Sequence, residues 1–273
     1  MKLTTVSTIT RLATGLAIIM LAPCVNAETL YGYGTIANVN GSLLMSIDTN
    51  SGVASRVGTG TNFYGAMAFA TDGSLYGAQG TTLVKFNASY NGTYTSLGQL
   101  PDYMNAISFD SKGNLWGINT YNFSLYSIDP ATGAQLSAKF ISSSNPGNAY
   151  VYSLAPQSDG SFLTTDAYSL NRLDPATGRI TAEQSLTSYG PYLGLGSAGN
   201  LYTAVNGQGF TTLQSIDRAS GTVSTIGNST AAPPATYYYG FVSASPVPVP
   251  GAAWLLVSGV GCLGFFRKKT TKS

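Results

Sequence analysis

The chain contains no histidine. That excludes Ser-His-Asp and Cys-His nucleophilic catalysis, and any imidazole-ligated metal site. Cysteine is nearly as scarce: Cys24 and Cys262 lie toward the two ends, and residues 28–245 have none. No disulfide can therefore staple that stretch, despite the exported setting argued below. Charge is sparse as well, at 9% of residues. Between 28 and 245, seven Lys or Arg face eleven Asp or Glu, a net charge of −4. No basic stripe remains to hold nucleic acid. There is no Asp-x-Asp-x-Asp-Gly calcium loop, and no metal or other cofactor is expected.

What the chain has instead is a recurring phrase, Leu-x-x-Ile-Asp-Pro-Ala-Thr-Gly. It is cleanest at Leu125 to Gly133 and returns at Leu170 to Gly178. Looser copies run from Leu213 to Gly221 and from Leu44 to Gly52, and a fifth, Leu83 to Gly92, carries Asn87 for the aspartate. The starts fall 39, 42, 45 and 43 residues apart. A unit of about 40 to 50 residues is the mark of a repeat fold, commonly a four-stranded propeller blade. Leu and Ile alternate with polar residues, as in a half-buried strand. Asp then Pro starts a turn whose backbone the carboxylate bonds. Gly supplies the positive φ that returns the chain.

Each unit carries three further strand signals. A glycine-led strand appears as Asn114-Leu115-Trp116-Gly117 and its counterparts. A short strand follows each phrase. A third signal precedes the glycine turn: Phe63 to Phe69, Tyr103 to Phe109, Tyr150 to Pro156, Tyr189 to Leu195 and Tyr237 to Ser243. The reading is all-β: a five-bladed β-propeller of four-stranded blades, with Tyr237 to Ser243 joining the N-terminal strands to close the ring. A β-sandwich or an open β-solenoid is the alternative. The third signal should be innermost, since its middle positions are mostly small (Ala66, Ala106, Ser153, Gly240). Between them a bulky series, Met67, Ile107, Leu154, Leu193 and Phe241, suits packing of blade on blade.

Nothing reads as a catalytic set. The recurring aspartates belong to turns. Asp102 with Asp166 is the one carboxylate pair that glycoside hydrolysis could use. Asp166 aligns with Gln79 and Asn119 at one depth of the glycine-led strand, a candidate polar ligand site or simply satisfied strand ends. Phe63, Tyr103, Tyr150, Tyr189 and Tyr237 align at the start of the inner strands. They form either an aromatic mouth suited to stacking on sugars or wedges between blades.

The ends read differently. Residues 1–27 resemble a secretory signal: Lys2 and Arg11, an apolar run from Leu12 to Leu21, and a small-residue cleavage site ending at Ala27. Residues 28–245 are the propeller body. Residues 246–273 hold a proline-rich lead, an apolar run and a basic stop. From 250 to 266 there are 17 residues, which at about 1.5 Å each just span a bilayer core. Val247-Pro248-Val249-Pro250, the apolar run and Arg267-Lys268-Lys269 together resemble the VPLPA variant of the PEP-CTERM sorting signal, departing at Val249 and Gly251. The resemblance implies export in a Gram-negative bacterium that makes extracellular polysaccharide, a transient inner-membrane anchor, and processing by an exosortase. The expected role is non-catalytic binding or structural work at the cell surface or in the matrix, touching polysaccharide or protein. A polysaccharide hydrolase or lyase is the alternative.

Overall fold

The computed structural model describes residues 29–36, 43–57, 65–88, 90, 93–143, 151–196, 198–207, 211–228 and 236–242, with backbone alone at 29, 35, 36, 167 and 236–239. Among them there are strands and turns and no helix long and apolar enough to cross a membrane. The proposed signal and sorting segments lie outside the described residues.

The chain opens with β1 (Thr29–Ile36), β2 (Leu43–Asp48) and β3 (Ala54–Arg56). The second blade follows as β4 (Gly65–Phe69), β5 (Leu75–Gln79), β6 (Thr82–Phe86) and β7 (Tyr94–Gln99). The third is β8 (Ala106–Phe109), β9 (Leu115–Asn119), β10 (Ser124–Ile128) and β11 (Gln135–Phe140). A two-residue strand, β12 (Ser142–Ser143), then leads into the fourth blade: β13 (Ala155–Pro156), β14 (Phe162–Thr165), β15 (Ala167–Asp174) and β16 (Arg179–Gly190). The fifth is β17 (Tyr192–Leu195), β18 (Leu201–Asn206), β19 (Thr211–Ile216) and β20 (Val223–Asn228). Last comes β21 (Thr236–Val242), which pairs antiparallel with β1, so the first blade is built from both ends of the described chain.

Five sheets result, each running in order from an innermost to an outermost strand. The fourth has five strands, because β12 adds in parallel to the outer edge of β16. The inner strands touch in one closed cycle, β21 to β4 to β8 to β13 to β17 and back to β21. That cycle makes the fold a five-bladed propeller. The bulky inner-strand series, Met67, Ile107, Leu154, Leu193 and Phe241, is buried throughout. Phe241 lies on the neighbouring inner strand at Gly194, where a Cβ would come 2.6 Å from its ring. Small residues there are a steric requirement of blades converging on an axis.

The repeated phrase is the outer hairpin turn. Asp129 Oδ1 accepts from the Ala131 N–H at 2.9 Å, and its other oxygen accepts from the Thr132 hydroxyl at 2.7 Å. Asp48, Asp174 and Asp217 cap their turns in the same way. Each turn also docks on the outer strand of the preceding blade. The Ser142 N–H donates to Gly178 O, and the Thr187 N–H to Gly221 O, both at 3.0 Å. Between the fourth and fifth blades an ionic chain adds to this seam. Glu183 accepts from Arg172 Nε at 2.6 Å and from Arg218 Nη2 at 2.9 Å, while Arg218 also donates to Gln157.

Antiparallel alternation sorts the connections onto two faces. The Asp-Gly turns and the phrase turns lie on one. The turns between the second and third strands of each blade, and the crossovers between blades, lie on the other, called here the crossover face.

Candidate functional site

The crossover face carries exposed tyrosine. Tyr103 and Tyr152 lie in crossovers, Tyr121 in the turn between second and third strands, Tyr168 at the start of β15, and Tyr189 near the end of β16; all five are exposed. Tyr121 is 79% and Tyr168 63% exposed, values that no core residue shows. They form two aromatic pairs. Tyr103 and Tyr121 have ring centroids 6.4 Å apart, tilted, and Tyr168 meets Tyr189 edge-on at 5.5 Å. Such pairs offer flat apolar surface with hydroxyls at the rim, the chemistry that stacks on sugar rings.

The sequence expectation of five aromatics opening five inner strands is changed by this. Tyr189 is not on an inner strand: it belongs to β16, which runs twelve residues and turns back over its own blade. Tyr103 precedes β8 by three residues, in a crossover. Neither is wedged between blades. Phe63 and Tyr150 lie outside the described residues, as does the side chain of Tyr237, whose backbone is in β21.

Gln79, Asn119 and Asp166 do share one level, at the crossover ends of β5, β9 and β14. Their oxygens are engaged by their own surroundings. Asn119 Oδ1 accepts from the Tyr121 N–H at 2.8 Å. Asp166 Oδ1 accepts from the Tyr168 N–H at 3.1 Å and the Ser169 N–H at 2.7 Å. Gln79 Oε1 accepts from the Tyr94 hydroxyl at 2.7 Å. Asn119 and Asp166 thus shape the turns that present Tyr121 and Tyr168. Asp102 accepts from Asn122 Nδ2 at 2.6 Å and from the Tyr126 hydroxyl at 3.4 Å. Asp102 and Asp166 are each bound up in a different blade, and no bond joins them.

One further tyrosine has no local signature in the sequence. Tyr33 on β1 lies opposite Gly240 on β21. Its ring covers that glycine: a Cβ at 240 would come 2.7 Å from the Tyr33 oxygen. The phenol therefore reaches from the second strand to the innermost one. In the fifth blade the sizes are exchanged, with Tyr192 on the inner strand opposite Ala204. Burial pushes the Tyr33 hydroxyl well above the ordinary tyrosine range, and the nearby phenols of Tyr192 and Tyr103 add to the shift. Tyrosines of three blades thus come near one another toward the crossover face. Only the strand register exposes this, since Tyr33 looks like one more aromatic in a glycine-led strand until Gly240 is placed beneath it.

Among the described residues no cluster of three or more His, Cys, Asp or Glu could hold a metal ion. A cavity of about 290 Å³ lies on the opposite face between the fourth and fifth blades, lined by Gln157, Asn200 and Arg218 among others.

No protein-family model and no curated protein matches the chain. Solved structures do. One is a symmetrical protein from work on how de novo evolutionary emergence is shaped by folding constraints: 16% identity over 80% of this chain and 99% of the other, with a TM-score of 0.55. Virginiamycin B lyase from Staphylococcus aureus is similar at 16% identity over 62% of this chain, with a TM-score of 0.41, and the match spans only 56% of that enzyme. A gluconolactonase from Xanthomonas campestris gives 15% identity over 75% of this chain and 73% of the other, with a TM-score of 0.42. The likeness is one of fold.

Proposed function

We propose that the chain is an exported propeller of the bacterial surface or matrix that binds extracellular glycan on its crossover face without cleaving it. The observation that carries this reading is the pair of exposed tyrosine couples on the crossover face, Tyr103 with Tyr121 and Tyr168 with Tyr189. Exposed, paired aromatic surface costs solvation unless a partner covers it. The absence of histidine and the separate engagement of Asp102 and Asp166 favour binding over hydrolysis. The polar trio and the aromatic alignment remain part of this proposed site, the former as supports of the tyrosines.

Export and anchoring rest on residues 1–27 and 246–273, which resemble a signal peptide and a PEP-CTERM tail that an exosortase would process. Intact mass of the protein recovered from culture medium reads both cleavages at once. Loss of neither segment would overturn that part of the proposal.

Residues 28–245 contain every described strand, and can be incubated with the producer's own exopolysaccharide. Retention without release of reducing ends or unsaturated sugars is expected, and Tyr121→Ala with Tyr168→Ala should abolish it. Product release would establish the hydrolase or lyase reading instead. Absence of retention would leave a protein-contact role.

A further inference from the structure

Tyr33 is 5% exposed, and its hydroxyl has no hydrogen-bond partner among the described residues. Among the described residues the enclosed side-chain polar atoms without a partner are Thr164 Oγ1, Thr203 Oγ1 and Gln214 Oε1; Tyr33 Oη is not one of them. The hydroxyl therefore keeps a little accessible surface, and it sits over Gly240 of the innermost strand. A buried phenol that finds no protein partner costs free energy, unless water or a ligand supplies one. Its burial keeps it protonated and able to donate.

The surroundings restrict what can reach it. The segments that carry the exposed tyrosines, residues 99–106, 119–124, 151–154, 165–169 and 186–192, hold two carboxylates, Asp102 and Asp166, and no lysine or arginine. A polyuronate or sulfated chain would meet repulsion there and no compensating cation. The paired tyrosines are well exposed, whereas Tyr33 packs in the core shared with the second blade and brings only its hydroxyl to Gly240 of the innermost strand. A sugar in the middle of a chain can lie on the rim but would have to enter the mouth and leave it again to touch Tyr33. A chain end meets no such obstacle.

Resting on the glycan-binding reading above, we infer that the crossover mouth recognises the terminus of a neutral glycan: the rim tyrosines stack on the last sugars, and the Tyr33 hydroxyl donates to an oxygen of the terminal one. Binding then counts chain ends and not chain length.

The test uses residues 28–245 and the producer's exopolysaccharide, partially hydrolysed and divided by charge and by size. Neutral fractions should be retained in preference to acidic ones. At equal mass, short neutral chains should compete better than long ones, in proportion to the number of chains. Tyr33→Phe should weaken binding about tenfold, the effect of one lost hydrogen bond to a ligand. Its melting temperature should not fall, because no protein partner is lost. Competition that follows mass, preference for the acidic fraction, or unchanged affinity in Tyr33→Phe would each overturn the inference while leaving the glycan-binding reading intact. Failure of every fraction to bind the unaltered protein would overturn both.

Discussion

Gly178, in the outer hairpin turn of the fourth blade, faces the carbonyl of Phe140 at the end of the third blade's outer strand. A Cβ at 178 would lie 2.5 Å from that oxygen, and the residue's φ is +75°. Gly52 meets the backbone of Gly227 at 2.9 Å in the same sense, closing the seam between the fifth and first blades. The repeated glycine thus serves two needs, a left-handed turn and close approach of the next sheet. The propeller repeats because each turn fits the blade before it.

These two needs can be separated by experiment. Gly73 has φ +83° with nothing within 4 Å of its missing Cβ. Gly73→Ala should cost about 1 kcal/mol, the price of positive φ alone. Gly178→Ala adds a clash with backbone that cannot step aside, and should cost about 3 kcal/mol or more. Urea unfolding of the two variants measures the difference. Equal losses would mean that the seam relaxes freely and that docking of the turn is incidental.

Ring closure depends on β21. Its pairing with β1 runs from Tyr31 opposite Val242 to Ile36 opposite Thr236, with a bulge after Tyr33. Removing residues 236–242 would expose the edge of β1 and the flank of β17 and β4, which β21 contacts. A long open edge invites pairing with another chain. The truncated protein should aggregate or lose cooperative melting, as read by light scattering and circular dichroism. A stable monomer with an unchanged melting curve would show that closure contributes little.

Much of this architecture is legible in the amino-acid sequence, for a local reason. Asp129, Pro130 and Gly133 determine a turn through their own backbone preferences, so a repeated turn announces a repeated hairpin. The pairing of β21 with β1 follows once the strand count leaves one strand over at each end. The site is less legible. Tyr189 aligns with inner-strand aromatics by spacing, yet the bulged pairing of β15 and β16 carries it onto the outer strand. Tyr33 matters because Gly240 lies opposite, and cross-strand register between residues some two hundred positions apart has no local signature. Asn119 and Asp166 read as ligand groups until their turn N–H donors are placed.

Two buried hydroxyls occupy the position that Gly32, Gly77 and Gly117 hold in the other blades. Thr164 and Thr203 are fully buried, and neither Oγ1 has a hydrogen-bond partner. Valine matches threonine in shape and removes the unsatisfied group. Thr164→Val and Thr203→Val should therefore each leave stability unchanged or raise it by about 1 kcal/mol, where a satisfied buried threonine would lose stability. Chemical denaturation of each variant decides this. A loss beyond about 1 kcal/mol would mean that the hydroxyl is hydrogen-bonded in solution, for example to an internal water.

Acid should unfold the protein through its turn carboxylates. Burial alone would raise Asp110, but bonds from the Asn114 side chain and backbone, Trp116 Nε1 and the Lys112 N–H outweigh it and hold the group below the usual carboxylate range. The Ser74 N–H does the same for Asp72, and the Ser161 hydroxyl for Asp159. A depressed folded pKa means that the folded state binds protons less readily than the unfolded one. Its stabilisation is complete above the unfolded aspartate value of about 3.9, and drains away as pH falls through the folded values. With no histidine in the chain, no ordinary side chain titrates between about pH 5 and 8. The melting temperature should stay flat across that range and drop below about pH 4. In Asp110→Asn the amide nitrogen confronts the Asn114 and Trp116 donors, so the variant should melt lower at neutral pH and lose less on acidification. Melting curves of variant and parent that run parallel down to about pH 2.5 would remove Asp110 from this account.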